Sequence, residues 1–193
     1  MTEAEKPRKQ AQTTSEDSWP GDPDKEALVE SMIRVNQAGE YGAMRIYAGQ
    51  LAVLRHGPAA EKIKEMAAQE HKHLDTFNKL AAERRVRPTA LEPLWHLAGF
   101  ALGAATALMG EKAAMACTVA VEEVIEEHYA DQAAKLGEDE APLRETIEKF
   151  RADELEHRDT AVEHHARETP GYELLATAIK AGSRLAIWLS TRV

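Results

Sequence analysis

A single cysteine, Cys117, stands in this chain of 193 residues. An internal disulfide is therefore excluded, and so is any metal site built from several thiolates. Aromatic residues are scarce at 5%, and runs that alternate apolar with polar residues are few, so β-sandwiches and barrels find no support. A Gly-rich dinucleotide fingerprint is missing, which removes the Rossmann unit from consideration. Excess positive charge is missing too. With 33 acidic against 24 basic residues the net charge is −9, the wrong sign for a protein whose main business is nucleic acid. The longest uncharged stretch, LWHLAGFALGAATALMG from Leu94 to Gly110, falls short of the roughly 20 residues that span a bilayer. What remains is rich in alanine, 44% hydrophobic and 30% charged, and reads as one all-α domain with a sizeable core, soluble or peripheral.

Met1 to Asp24 is polar, with Ser, Thr, Gln, Pro and mixed charge, and is expected to be a disordered tail ahead of a domain covering residues 25–193. It has neither the apolar core of a signal peptide nor the acid-poor composition of a mitochondrial transit peptide, which favours a bacterial cytoplasmic origin. Asp24 is placed to cap a first helix over Lys25–His56, closed by Gly57-Pro58. A second helix is expected over Ala59–Glu83, followed by the basic loop of Arg84, Arg85 and Arg87. The uncharged Leu94–Gly110 run reads either as a buried connecting helix or as one lying on a membrane beside those arginines. Two further bundle helices are expected over Glu111–Leu136 and Ala141–Glu168. The last, Tyr172–Ser190, is amphipathic and basic, suited to pack on the bundle and to touch anionic lipid.

The chemistry lies in Glu70-His71-Lys72-His73 and its echo Glu154-Leu155-Glu156-His157. Each contains Glu-x-x-His, and residues three apart on a helix share a face, about 5–6 Å apart at Cβ. Glu40 precedes Glu70 by about 30 residues and Glu122 precedes Glu154 by about as many, a helix-pair repeat written twice. Projected on helices, all four acids fall on inward stripes. Val29, Ile33, Tyr47 and Leu51 accompany Glu40. Ile63, Met66 and Phe77 accompany Glu70, and Met115, Thr118 and Tyr129 accompany Glu122. Leu143, Ile147 and Phe150 accompany Glu154 on a stripe made mixed by Arg158 and His165. A carboxylate aimed into a core is costly unless paired or coordinated. Four such acids with two His form the ligand set of ferritin-like di-iron bundles, and oxygen and imidazole donors without thiolate suit iron or manganese.

Glu40 with Glu70 and His73 is expected to hold one metal, and Glu122 with Glu154 and His157 the other, with Glu70, Glu154 or both bridging. Glu126, one turn beyond Glu122, is the rival for its role; Glu123 points away. His56, His71, His96, His164 and His165 read as surface or structural. Tyr129 lies on the Glu122 stripe, where its phenol could hydrogen-bond a ligand or simply pack, and His128 could serve a substrate or a neighbouring helix. Cys117 reads as a small packing residue.

Longer motifs add a resemblance. VNQAGEYGA (Val35–Ala43), RVRPT (Arg85–Thr89) with LEPLW (Leu91–Trp95), GFALGAATALMG (Gly99–Gly110) and AMACTVAVEE (Ala114–Glu123) resemble the demethoxyubiquinone hydroxylase family, the di-iron monooxygenases of ubiquinone biosynthesis, from about Met32 to the C-terminus. The resemblance implies a ferritin-like four-helix bundle with additional apolar connecting and C-terminal helices. It places the family's ligands on Glu40, Glu70, His73, Glu122, Glu154 and His157, and its His-Tyr pair on His128 and Tyr129. Several family members have His where this chain has Glu127. It further implies two iron ions, with O2 and NADH as co-substrates, and a polyprenyl methoxy-benzoquinol whose ring is hydroxylated. A peripheral position on the cytoplasmic side of a bacterial cell membrane follows from that lipid substrate. A helper protein of the same pathway and a homo-oligomer are compatible partners. The alternative use of the same ligand set is a ferritin-like iron-binding or ferroxidase protein.

Overall fold

The computed structural model describes residues 24–193; the expected disordered tail, apart from Asp24, lies outside them. Among the described residues there is no strand. Six α-helices run in order: α1 Lys25–Val53, α2 Pro58–Arg84, α3 Glu92–Leu108, α4 Glu111–Lys135, α5 Ala141–Glu163 and α6 Tyr172–Ser190. Short 3-10 turns at Glu138–Glu140 and Ala166–Glu168 precede and follow α5. Asp24 caps α1 as expected, its Oδ1 accepting from the Ala27 amide at 2.7 Å.

Two helix ends differ from expectation. α1 stops at Val53 rather than His56, because Leu54 closes the last turn onto the Gln50 carbonyl at 2.8 Å and then leaves the helix with ψ 87°. Pro58 is spent as the first residue of α2, where its missing N–H costs nothing, so the chain has to turn before it. α5 stops at Glu163 rather than Glu168. His165 adopts a left-handed φ of 64°, and the following turn buries Ala166 against Ala59, Met115 and Met66. His165 thus leaves the Glu154 stripe to which its spacing assigned it.

α1 and α2 form one antiparallel pair and α4 and α5 another. Val29, Ile33, Phe77, Tyr129, Leu136, Leu143, Ile147 and Phe150 close one end of the bundle. Tyr47, Ile63, Met66, Met115, Val119 and Ala161 close the other. Each large side chain so buried stabilises the fold by roughly 1.5–3 kcal/mol. Glu40, Glu70, Glu122 and Glu154 lie between these two apolar plugs, near the middle of their helices.

The two remaining helices repeat one arrangement: α3 packs on α1, and α6 packs on α4. α3 is not a buried connector. Gly99, Gly103, Thr106 and Ala107 face inward, while Leu94, Leu97, Phe100 and Leu108 are exposed. The buried alternative for the uncharged run is therefore corrected: only small residues of the run are fully buried.

Candidate metal centre

The helices deliver six polar side chains to one interior point, none more than 2% exposed: Glu40, Glu70, His73, Glu122, Glu154 and His157. On α2 and α5 the three-residue step sets each Glu beside its His. His73 Nδ1 lies 3.3 Å from Glu154, 3.7 Å from Glu40 and 3.8 Å from Glu70. His157 Nδ1 lies 3.0 Å from Glu70 and 3.3 Å from Glu154. Two overlapping sets result. Glu40, Glu70, His73 and Glu154 each offer an atom within 4.8 Å of the others, and so do Glu70, Glu122, Glu154 and His157. Glu70 and Glu154 belong to both, which is the disposition two bridging carboxylates require.

The hydrogen-bond inventory tests whether metal ions fit. Buried polar atoms normally find partners. Here one oxygen each of Glu40 and Glu122, both oxygens of Glu70 and Glu154, and Nδ1 of both His73 and His157 have none. Eight orphaned atoms, all oxygen or imidazole nitrogen and all convergent, suit a pair of divalent cations of the iron or manganese type.

Electrostatics agree. Burial, with Glu70 close by, pushes Glu40 up to about 8. Burial and the Glu154 and Glu70 carboxylates raise Glu122 well above the usual carboxylate range. Burial alone would lower the two imidazoles. The Glu154 and Glu70 carboxylates instead raise His157 to about 11, and Glu154, Glu40 and Glu70 raise His73. The cluster carries more negative charge than this interior tolerates, which suits it to take up cations.

The outward atoms of the set are held by four further residues, of which spacing singled out only Tyr129. Asp153 Oδ2 takes the outer nitrogen of His73 at 3.0 Å, and Gln69 Oε1 takes that of His157 at 2.5 Å. Each comes from the other helix pair, and each immediately precedes the Glu of its own Glu-x-x-His. Tyr47 on α1 donates to Glu122 on α4 at 2.7 Å, and Tyr129 on α4 donates to Glu40 on α1. The repeat that relates Glu40 to Glu122 relates Tyr47 to Tyr129, and that symmetry was the available signal. Phe150 stacks on His73 with ring centroids 3.9 Å apart and seals the site on that side.

Other candidates fall away from the centre. Glu126 pairs with Arg151 at 2.7 Å, Glu123 with Lys180 and Glu127 with Arg184 at 2.9 Å. His128 does not reach the cluster. It accepts at Nε2 from the Gln132 amide at 2.7 Å, and burial lowers it to about 4, so it stays neutral. Gln132 in turn pairs reciprocally with Asn36. His71 and His165 are exposed and face Asp75 and Glu168, while His96 meets the Tyr41 hydroxyl. Burial pushes the Cys117 thiol up to about 12, that of a packing residue.

Above α1 and α4, between α3 and α6, runs a half-open groove of about 390 Å³. Gly39, Gly42 and Val121 form its floor, and Trp95, Leu102 and Ile187 stand in its walls. Gly39 and Val121 are the chain neighbours of Glu40 and Glu122, so the groove runs over the same turns of α1 and α4 that carry those two acids. The outer faces of the two helices that wall it are apolar, with Leu97 and Leu108 exposed on α3 and Leu174, Leu185 and Trp188 exposed on α6. No helix of the described residues is long and apolar enough to cross a membrane.

The bundle and its cluster define a class: helical proteins that enclose a carboxylate-histidine metal centre between two helix pairs. Comparison with known proteins narrows it. Residues 27–190 match the family described as ubiquinone biosynthesis protein COQ7. The chain is 59% identical over 181 residues to the 3-demethoxyubiquinol 3-hydroxylase of Rhodospirillum rubrum, covering 93% of this chain and 85% of that protein. It is 52% identical over 171 residues to the human NADPH-dependent 3-demethoxyubiquinone 3-hydroxylase, mitochondrial, covering 86% and 79% respectively. With the yeast 5-demethoxyubiquinone hydroxylase, mitochondrial, from Saccharomyces cerevisiae, identity is 44% over 184 residues, covering 86% and 79%. The chain belongs to the COQ7 family of ubiquinone biosynthesis proteins.

Proposed function

We propose that this chain is a di-iron monooxygenase that hydroxylates the ring of a polyprenyl methoxy-methyl-benzoquinol, demethoxyubiquinol, in ubiquinone biosynthesis. The observation that carries the reading is the pair of overlapping four-residue sets, sharing Glu70 and Glu154, beneath an apolar groove. Glu40, Glu70 and His73 would hold one iron and Glu122, Glu154 and His157 the other. Iron held there would supply the activation of O2 for a hydroxylation that puts one oxygen atom on the ring and releases the other as water, taking up two electrons and two protons. The chain itself contributes position and exclusion. Tyr129 and Tyr47 fix Glu40 and Glu122 by hydrogen bonds from the opposite helix pair. The groove takes the ring and the first part of the isoprenoid tail and keeps water away. The electrons come from a reduced nicotinamide. The family resemblance implies NADH, while the animal relatives are named for NADPH, so an assay compares the two.

A substrate with a polyprenyl tail is held in lipid, and the exposed leucines and Trp188 of α3 and α6 form an apolar rim that suits a bundle lying peripherally on a bilayer, on the cytoplasmic side of a bacterial cell membrane. Arg85 and Arg87 are exposed beside α3 and face lipid phosphates. Arg84 is taken by Glu140 at 2.7 and 2.8 Å and leaves the basic cluster expected of that loop. The same apolar rim accommodates a helper protein of the pathway or a second copy.

The test is metal analysis with Mössbauer spectroscopy on protein purified without oxygen, followed by turnover of a short-chain demethoxyubiquinol. Two irons per chain and hydroxylated product are expected. Glu154→Ala is expected to keep the helical signal and lose the product. Full turnover by that variant contradicts the site. Deposition of an iron mineral with no quinol hydroxylation would instead favour the ferroxidase alternative.

A further inference from the structure

The two halves of the cluster differ in what supports them. The repeat pairs the residues that point into the cluster: Glu40 with Glu122, Tyr47 with Tyr129, Glu70 with Glu154, His73 with His157. It does not extend to the residue that precedes each Glu-x-x-His. In α5 it is Asp153, a carboxylate, facing the outer nitrogen of His73 at 3.0 Å. In α2 it is Gln69, an amide, facing the outer nitrogen of His157 at 2.5 Å. Both imidazoles turn Nδ1 to the cluster and Nε2 outward, so each Nε2–H has one acceptor, and only one of the two acceptors is a carboxylate.

A carboxylate accepts a hydrogen bond more strongly than an amide carbonyl does and pulls the imidazole toward imidazolate character, which makes Nδ1 the better donor to a metal. Phe150 stacked on His73 at 3.9 Å keeps that ring in place and shields one face; among the described residues the His157 ring has only His73 itself as an aromatic neighbour, at 6.4 Å. The Asp153 side chain is 30% exposed, so its charge is tolerated without a further partner.

We propose that Asp153 and Gln69 are positioning residues that make the His73 position the tighter one, filled first, and the His157 position the weaker one, filled second. This rests on the di-iron reading above and adds to it an order of loading and an electronic difference between the two ions.

The full chain is stripped of metal and titrated without oxygen, first with Co(II), followed by absorption, and then with 57Fe(II), followed by Mössbauer spectroscopy. The unaltered protein is expected to bind two ions in two separable steps and to show two unequal doublets. Asp153→Asn, which keeps the shape and removes the charge, is expected to weaken the first step about 10- to 100-fold and to move one doublet while leaving the other. Gln69→Glu, the reciprocal isosteric change, is expected to tighten the second step about tenfold so that the steps converge, a gain that mere structural damage does not produce. His157→Ala should keep the tight step, and His73→Ala should lose it, with circular dichroism showing that both remain helical. Two equal steps in the unaltered protein, an unmoved first step in Asp153→Asn, or the tight step disappearing with His157 overturns the proposal while leaving the di-iron reading intact. No uptake of either metal overturns both.

Discussion

α3 and α6 occupy equivalent places, each laid over the first helix of its own half, yet they are attached by opposite means. α3 meets α1 backbone to backbone. A Cβ on Gly103 would run into the Ile46 carbonyl, one on Gly49 into the Phe100 carbonyl, and one on Gly99 would lie 2.9 Å from the Gly42 carbonyl and the Arg45 side chain. α6 meets α4 through side chains: Ala176 and Ile179 pack beside Cys117, Ala120 and Val121, and Lys180 and Arg184 reach across to Glu123 and Glu127. Gly182 in α6 has nothing within 4 Å of where its Cβ would stand. One wall of the groove is therefore fixed and the other is held by contacts that can give. Of the two walls, α6 is the one expected to yield first.

The largest expected effect comes from filling a glycine contact on the fixed side. Gly103→Val forces α3 off α1 and exposes the inner faces of both. A loss of at least about 3 kcal/mol is expected, at the upper end for overpacking and often enough to prevent folding. The matching change on the movable side, Gly182→Ala, meets no neighbour and relieves the cost of glycine in a helix, with an expected gain of about 0.5–1 kcal/mol. Thermal unfolding of the two variants checks the pair. A Gly103→Val protein that melts with the unaltered one would end the claim that the α3 contact is rigid.

A smaller effect is expected where the two walls touch. Trp95 Nε1 on α3 donates to Ser190 Oγ on α6 at 3.0 Å, at one end of the groove. Ser190→Ala removes that bond and is expected to cost about 0.5–1.5 kcal/mol and to quicken hydrogen exchange in α6 while leaving α3 unchanged. Equal acceleration in both helices would show that α3 is no better anchored than α6.

The bundle was legible because its signals are redundant: Asp24 as a cap, Gly57-Pro58 between α1 and α2, and four acids on inward stripes at a repeated interval. The convergence of the six polar groups was legible for the same reason, since a buried carboxylate is tolerable only in company. Asp153, Gln69 and Tyr47 were not singled out, because their partners lie on the opposite helix pair. A helical projection reports which residues share a face and says nothing about what faces them. Applying the repeat to Tyr129 as well as to the acids would have exposed Tyr47. The ends of α1 and α5 were misplaced because Pro58 serves the helix it begins rather than the one before it, and because burial of Ala166 draws His165 into a left-handed conformation that its side chain does not advertise.

The smallest effect concerns the charges that tie α6 down, and it separates two kinds of ion pair on one helix. Lys180 and Glu123 are 30% and 25% exposed, whereas Arg184 and Glu127 are 56% and 60% exposed. Exposed pairs are screened by salt and stabilise by roughly 0–1 kcal/mol, while partly desolvated pairs keep more of their attraction. Arg184→Ala is therefore expected to be nearly neutral, and Lys180→Ala to cost up to about 1 kcal/mol. Raising the salt to about 1 M, where the screening length falls to about 3 Å, should erase any Arg184 effect and leave most of the Lys180 effect. Melting curves of both variants at low and high salt provide the check. Loss of both effects in salt would mean that α6 is held on α4 by apolar packing alone, and the contrast with α3 would become one of packing depth only.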